Sequence, residues 1–194
     1  LVFETAVGVS HRLVESFGIR EVTSEATMVD GWARRDFFIN GKPIQLLGGC
    51  WVPDMMLNRS DEKTRAEVRL HRDANLNIIR VWGGGPTPRD AFFKACDELG
   101  MLVWQDFWIT GGANNPQWGK GSFDWPLETD LFLDCVEDTV KKLRNHPSLI
   151  IWCGGNEGYP RRELHEGMRG ASIELDGTRG YIPACGLGDP PREW

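Results

Sequence analysis

Three things that this 194-residue chain lacks narrow its possible functions. No apolar stretch approaches the length of a membrane span, which argues against a membrane partner. The net charge is −6 and no basic run is present, which argues against a nucleic-acid partner. Four scattered histidines, and five cysteines without a CxxC pair, show no metal-ligand spacing, so neither a metal nor an organic cofactor is predicted. We expect most of these cysteines to be buried free thiols.

The first part of the chain has the pattern of β-structure. Residues 1–30 are predicted to be β-structure, with a loose alternation of apolar and polar side chains over 1–14, and residues 17–22 are predicted to form a strand that enters a linker. An Asn40-Gly41 pair then separates two short apolar runs. This pair predicts a β-hairpin, because both turn residues need a positive φ.

From residue 46 onward, short apolar runs alternate with helical patterns. The predicted strands cover residues 46–50, 76–82, 101–107 and 149–153, with a possible fifth at 181–183. Repeated strand–helix units imply parallel strands, and the first four or five units of a (β/α)8 TIM barrel fit this order. The alternative is an open doubly wound sheet. It ranks lower, because no GxGxxG turn follows the first strand.

The helices between these strands have recognisable beginnings. Ser60 can cap the first helix with its side-chain oxygen. The acidic residues that follow it in the first turn have the favourable charge for that end of a helix. Thr87-Pro88 is predicted to start the second, and a weaker helix is expected near residues 163–175. Predicted buried stripes are Ala66, Leu70 and Ala74 on the first helix, Phe92, Cys96 and Leu99 on the second, and Leu131, Cys135, Thr139 and Leu143 on the third.

Polar and aromatic side chains recur where the predicted strands end. In a (β/α) barrel the reactive groups lie at the carboxyl ends of the strands. The residues at those ends are Cys50 and Trp51, Arg80 and Trp82, Gln105, Asp106 and Trp108, and Asn156 and Glu157. The chain has nine tryptophans. Trp82, Trp104, Trp108 and Trp118 are candidate platforms for a sugar ring, but for Trp104 the core is favoured, because it lies within a strand.

Two charged groups in this set carry the chemistry. Arg80 sits inside an apolar strand and is too costly to bury unpaired, so it needs a carboxylate partner such as Asp106. Glu157 follows a strand buried on both faces, where surroundings of low dielectric constant would favour the protonated form that a general acid needs. The alternatives are a structural ion pair for Arg80 and a solvated loop glutamate for Glu157.

Several segments, taken in order, resemble the start of the catalytic domain of glycoside hydrolase family 2. The segments are 17–20 (FGIR), 38–43 (FINGKP), 51–53 (WVP), 77–85 (NIIRVWGGG), 97–107 (DELGMLVWQDF), 144–148 (RNHPS) and 152–157 (WCGGNE). The likeness is greatest to β-mannosidase and endo-β-mannosidase members, and exo-β-glucosaminidases come next. One departure is Cys50, which stands where mannosidase-like members often have Asn.

This resemblance implies a domain order and a reaction. Residues 1–22 would be the last strand or strands of an immunoglobulin-like β-sandwich and its linker, and 23–194 the N-terminal half of a TIM-barrel catalytic domain. The implied activity is retaining hydrolysis of a terminal β-linked sugar, with β-mannoside favoured and a carbohydrate as partner. Glu157 matches the acid/base, and Asn156 matches the residue that binds the group at the sugar's 2-position. Arg80, Trp82 and Asp106 match the subsite for the terminal sugar.

The nucleophile of a retaining glycosidase is not found among the strand ends of this chain. The resemblance implies that it is a glutamate on the seventh strand of the barrel. We therefore expect the 194 residues alone to lack useful hydrolase activity. The alternatives are a non-catalytic carbohydrate-binding barrel, or an exo-β-glucosaminidase or other β-glycosidase specificity.

Overall fold

A computed structural model describes residues 1–54, 56, 58–110, 125–157 and 160–185. Its order of elements is strand-rich first and then alternating. The elements are β1 (Val2–Thr5), β2 (Gly8–Arg12), β3 (Val22–Val29), β4 (Trp32–Ile39), β5 (Lys42–Ile44), β6 (Gly48–Trp51), α1 (Asp61–Asp73), β7 (Ile78–Val81), α2 (Asp90–Leu99), β8 (Leu102–Asp106), α3 (Thr129–Leu143), β9 (Leu149–Cys153), α4 (Arg162–Leu175) and β10 (Gly180–Ile182). In the described part of the chain, no helix is long and apolar enough to cross a membrane.

The central feature is a five-stranded parallel sheet in the order β10-β9-β8-β7-β6. Each strand pairs with its neighbour in sequence, and helices connect β6 to β7, β7 to β8, β8 to β9 and β9 to β10. This is the arrangement of consecutive strands in a (β/α) barrel. The fold class predicted from the sequence, a partial TIM barrel preceded by antiparallel strands, is confirmed.

Both faces of this sheet are covered, but by different partners. Side chains such as Ile79, Val81 and Val103 pack with the helices. The alternate residues, such as Ile78, face the other way and form a second cluster. Partly buried side chains from β3–β5 and the segment after them close that cluster (Val22, Phe37, Ile39 and Leu46). Strand alternation thus separates a helix-facing layer from the concave face of the barrel.

The antiparallel strands before the barrel form two small sheets. β1 and β2 form a hairpin whose side chains are exposed throughout. β3, β4 and β5 form the second sheet, and Asn40 and Gly41 have positive φ angles of 51° and 72° in its predicted turn. The division at residue 22 stays a prediction.

The predicted strand over residues 17–22 is wrong. β3 begins only at Val22, and the preceding segment is attached through side chains rather than a strand ladder. The Arg20 guanidinium donates to the carbonyl oxygens of Pro147 (2.8 Å) and Leu149 (2.6 Å), next to the start of β9. This contact fixes the segment to the end of the barrel opposite the strand carboxyl ends.

Helix boundaries agree with the sequence in part. Ser60 caps α1 by accepting from the Lys63 backbone N–H at 3.2 Å, and Gly100 ends α2 with a φ of 70°. The predicted start of α2 at Thr87-Pro88 is wrong, because Arg89 is still extended and the helix begins at Asp90.

The buried faces of two helices also differ from the prediction. α1 buries Thr64 and Val68, and its Leu70 is 67% exposed. α3 buries Phe132, Val136, Val140 and Leu143, while Leu131 is 63% exposed. The predicted stripe of α2 is confirmed for Phe92 and Cys96. Of the five cysteines, all free, Cys96 and Cys153 are buried, Cys185 is half-buried, and Cys50 and Cys135 are exposed.

A half-buried carboxylate joins α2 to the start of β9. Asp97 pairs with the His146 ring at 2.6 Å and accepts from the Ser148 backbone N–H at 3.0 Å. Burial alone would raise the pKa of Asp97, but the hydrogen bonds from His146 and Ser148 lower it below its ordinary value of 3.8. The ionised carboxylate therefore stabilises the folded chain.

We expect an Asp97→Asn substitution to lower the free energy of unfolding by about 1–3 kcal/mol near pH 6. A carboxyl group with a lowered folded pKa stabilises the fold above its unfolded pKa, and this contribution disappears as the pH falls through the folded value. The difference from the parent protein should therefore shrink below about pH 3.8. Urea unfolding at several pH values measures it, with the exposed Asp134→Asn as control. A difference independent of pH would contradict the ionised-carboxylate explanation.

Candidate active site

The candidate site lies at the carboxyl ends of β7, β8 and β9, where three strands bring polar groups together. Arg80 comes from β7, Asp106 ends β8, and Asn156 follows β9. The parallel register places Cys50 beside Arg80, and Asp106 beside Cys153. The sequence prediction that these strand ends converge is thus matched by the geometry.

Arg80 and Asp106 form a buried ion pair at the centre of this group. The Arg80 Nη2 lies 2.5 Å from Asp106 Oδ2, and Nε lies 3.2 Å from Oδ1. The Asp106 side chain has no exposed surface, whereas that of Arg80 is 19% exposed. Burial alone would lower the pKa of Arg80, but the hydrogen bonds and charge of Asp106 raise it above its ordinary value. The guanidinium is therefore a permanent cation at the rim of the sheet.

The remaining acceptor positions of Asp106 are filled by protein donors. Trp104 Nε1 donates to Oδ1 at 2.8 Å, and the Gly83 backbone N–H donates to Oδ2 at 3.2 Å. A side chain at position 83 would be impossible without rearrangement, because a Cβ there would lie 2.3 Å from the Phe107 carbonyl oxygen. Asp106 is thus held by four donors, and its direct effect is to orient Arg80.

Asn156 is the next member of the group. Its Oδ1 accepts from Arg80 Nη2 at 2.8 Å and from the Cys185 thiol at 3.4 Å. Two donors around one atom assign that atom as the oxygen, so the amide nitrogen is the group left to donate to a ligand. Asn156 itself is 8% exposed. An amide N–H pair at this position suits a hydroxyl or another acceptor on a bound molecule.

Glu157 lies directly beyond this network, on the outside of the turn. It has a φ of 55°, a left-handed conformation that is uncommon for a residue other than glycine, and its backbone N–H donates to the Cys185 carbonyl oxygen at 3.2 Å. Its side chain is exposed. The predicted apolar surroundings of Glu157 are therefore wrong, because its side chain is exposed although the residue follows a buried strand.

Of the tryptophans proposed as platforms, Trp82 and Trp108 lie in different surroundings. Trp82 is half-buried and lies over its own turn, since a Cβ on Gly84 would come 1.9 Å from its ring. Trp108 is half-buried and packs edge-on against Phe132 of α3, with ring centroids 5.9 Å apart. Among the described residues, no contact is found between Trp108 and Arg80, Asp106 or Asn156. Trp118 lies outside the described residues.

Two contacts of the site were missed from sequence. Trp104 packs against the second core cluster, as predicted, but it also contacts both partners of the ion pair. Its Nε1 donates to Asp106, and the Arg80 guanidinium carbon lies 5.7 Å from its ring centroid. Strand alternation could have found it, because positions 104 and 106 share a face. Cys185 follows β10, and the rule that picked the other strand ends would have included it. Its Sγ lies 2.7 Å from Arg80 Nη2.

The comparison with known families decides the assignment. Residues 34–182 match the model of the glycosyl hydrolases family 2 TIM barrel domain. This chain belongs to glycosyl hydrolase family 2. The family resemblance inferred from sequence is confirmed, as is membership of a family of glycosyl hydrolases.

Individual family 2 relatives are mannosidases. The chain is 38% identical over 154 residues to a mannosylglycoprotein endo-beta-mannosidase of Lilium longiflorum, and 35% identical over 158 residues to beta-mannosidase B of Emericella nidulans. Each match covers 79% of this chain, but only 16% and 18% of the relatives. The crystal structure of a beta-D-mannosidase from Dictyoglomus thermophilum superposes with a TM-score of 0.75 at 30% identity, covering 93% of this chain and 23% of that one. The chain thus spans less than a quarter of the length of each.

Proposed function

We propose that this chain supplies the acid/base half of the active site of a retaining β-glycosidase acting on terminal β-mannosides. The observation that carries the proposal is the convergence of Arg80, Asp106 and Asn156 beside Glu157, at the edge of a parallel sheet where barrels of this kind hold their reactive groups. Because the three relatives described above are mannosidases, mannose is favoured over other sugars.

Glu157 is proposed as the group that protonates the departing oxygen. It follows Asn156 on the same turn, so a sugar bound to the Asn156 amide would present its glycosidic oxygen near the Glu157 carboxyl. A general acid must reach the leaving atom, and a side chain that projects beyond the strand end meets this need. The same group would then act as the base that activates water in the second step.

Arg80 is proposed to orient the sugar rather than to react. Its Nε and Nη2 are occupied by Asp106, Asn156 and Cys185, which leaves Nη1 with hydrogens for a ligand. Nη1 has one weak partner, the Cys50 thiol at 3.6 Å. A guanidinium fixed on one side and open on the other suits a sugar hydroxyl. Asp106 and Trp82 are proposed to support this subsite, and Trp108 stays a candidate platform at the end of β8.

The second carboxylate that a retaining mechanism requires has no candidate in the described residues. The two carboxyl groups must lie about 5–5.5 Å apart. Glu163, Glu166 and Glu174 all lie on α4 rather than at a strand end. We therefore propose that a glutamate on a later strand of the intact barrel attacks the anomeric carbon, and that the 194 residues alone do not turn over substrate.

Aryl β-glycosides test this function directly. The intact protein is expected to release nitrophenol from 4-nitrophenyl β-mannoside at least about tenfold faster, in kcat/KM, than from the β-glucosaminide, β-galactoside or β-glucuronide, because enzymes discriminate by transition-state contacts of this size. The 194-residue chain, assayed at the same molar concentration, is expected to be inactive. Faster release from the glucosaminide would indicate an exo-β-glucosaminidase specificity in place of the mannosidase specificity. No release of nitrophenol from any of the four substrates would favour a non-catalytic carbohydrate-binding barrel.

A further inference from the structure

Cys185 contacts Arg80, Asn156 and the backbone of Glu157, three of the residues that the proposed chemistry uses. Its thiol donates to Asn156 Oδ1 at 3.4 Å, and its Sγ lies 2.7 Å from Arg80 Nη2. Its backbone N–H donates to the Gly155 carbonyl oxygen at 3.0 Å, and its carbonyl oxygen accepts from the Glu157 N–H at 3.2 Å. Cys185, a single residue that follows β10, is therefore hydrogen-bonded to the residues on both sides of Asn156. It also forms an isolated parallel bridge with Asn156 itself.

Side chain and backbone of Cys185 do different things. The backbone bonds fix the turn that carries Glu157 in its left-handed conformation, and these bonds do not depend on the residue type. The thiol closes a triangle with Arg80 and Asn156, in which Oδ1 receives two donors. Without the thiol, the Asn156 amide would be held at Oδ1 by Arg80 alone and could rotate more freely. The side chain of Cys185 thus reinforces the amide orientation that Arg80 sets, in which the nitrogen is presented to a ligand.

We propose that Cys185 is a positioning residue of the glycosidase site, acting through the orientation of the Asn156 amide. This inference rests on the proposed function. Hydrogen bonds to the sugar's 2-position strengthen in the transition state of glycoside hydrolysis. If the Asn156 amide is less firmly oriented, we therefore expect kcat to fall by a larger factor than KM rises. Serine preserves a donor and an acceptor at this position, whereas alanine removes both.

The test is a double-mutant cycle between Cys185→Ala and Asn156→Ala in the intact protein, with 4-nitrophenyl β-mannoside as substrate. We expect Cys185→Ala alone to lower kcat about tenfold with KM changed less than about threefold. In the Asn156→Ala background the same substitution should lower kcat less than about twofold, because residues in one hydrogen-bond network are not additive. Cys185→Ser should recover most of the parental kcat. Cys135→Ala, which removes an exposed thiol on α3, is the matched control and should change nothing.

The outcomes separate this inference from the function on which it rests. Equal losses from Cys185→Ala in both backgrounds, or a parental kcat in the single variant, would overturn the positioning role while leaving the glycosidase assignment intact. A lowered melting temperature with no recovery of kcat by Cys185→Ser would show a purely structural role, and so would also overturn it. Absence of turnover by the parent protein would remove the proposed function, and the inference would fail with it.

Discussion

A Glu157→Gln variant of the intact protein is expected to hydrolyse a natural β-mannoside about a hundred- to ten-thousandfold more slowly than the parent protein. This is the range by which general acid catalysis accelerates proton transfer to a poor leaving group. The loss should be much smaller for 2,4-dinitrophenyl β-mannoside, since its leaving group departs as a stable anion and needs little protonation. Glutamine keeps the size and polarity of the side chain but has no proton to donate from oxygen.

The comparison between the two substrates is the informative measurement. Single-turnover or steady-state kinetics give, for each substrate, the ratio of kcat/KM between the parent protein and the Glu157→Gln variant. Dividing the ratio for the natural substrate by that for the dinitrophenyl substrate isolates the leaving-group effect from a general loss of active protein. Glu163→Gln, an exposed glutamate in the first turn of α4, is the matched control and should behave as the parent on both substrates. Equal losses on the two substrates after Glu157→Gln would exclude an acid role for this residue, even if activity fell strongly.

The exposure of Glu157 differs from what its position in the sequence predicted. The sequence placed it after a buried strand and suggested apolar surroundings, but its side chain is exposed in the described chain. The backbone explains this: a φ of 55° turns the residue away from the line of β9, and Gly154 and Gly155 carry the chain past the sheet edge.

The parallel strands were the most predictable part of the fold. Residues 149–153 are buried without exception, and β7 is interrupted only by the half-buried Arg80. A strand covered on both faces reads as a continuous apolar run, which leaves little ambiguity in the sequence. The antiparallel β1 and β2 have no buried face in this chain, so their sequences carried only loose alternation.

The buried faces of the helices were harder to predict. On α1 the spacing of four residues fits Thr64 and Val68 as well as it fits Ala66 and Leu70, and the two choices differ by about 200° around the axis. The structure buries the first pair, although threonine is less apolar than leucine. On α3 the error is one residue, or about 100°. Sparse apolar residues leave the rotation of a surface helix open until the sheet beneath it is known.

The candidate site was predictable as a set of strand ends but not as a network. Arg80, Asp106 and Asn156 were found because charged or amide groups at the ends of apolar runs are conspicuous. Their hydrogen bonds depend on register, and the β8–β9 pairing shifts by one residue between Val103 and Trp104. No spacing rule reveals such an irregularity, so the hydrogen bonds that join residues of different strands could not be predicted from sequence alone.

Removing the carboxylate of Asp106 is expected to have the largest effect on stability. Asp106→Ala would leave the Arg80 cation partly buried without a counter-charge, and deprive Trp104 Nε1 and the Gly83 N–H of their acceptor. Breaking one side of a buried ion pair costs about 3–5 kcal/mol, because the surviving charge stays desolvated. Urea unfolding followed by tryptophan fluorescence would measure this loss. Glu137→Ala, which breaks an exposed pair with Lys141, should cost no more than about 0.5 kcal/mol.

An Asp106→Asn variant separates the charge of this residue from its shape. The amide oxygen can still accept two of the four donors, so we expect a smaller loss of stability than for alanine, but a similar loss of β-mannoside hydrolysis. Activity should fall because Arg80 loses its bidentate partner and no longer presents Nη1 in one orientation. If Asp106→Asn kept parental kcat/KM while Asp106→Ala unfolded the protein, the pair would serve the fold alone. Arg80 would then have to be removed from the proposed sugar subsite.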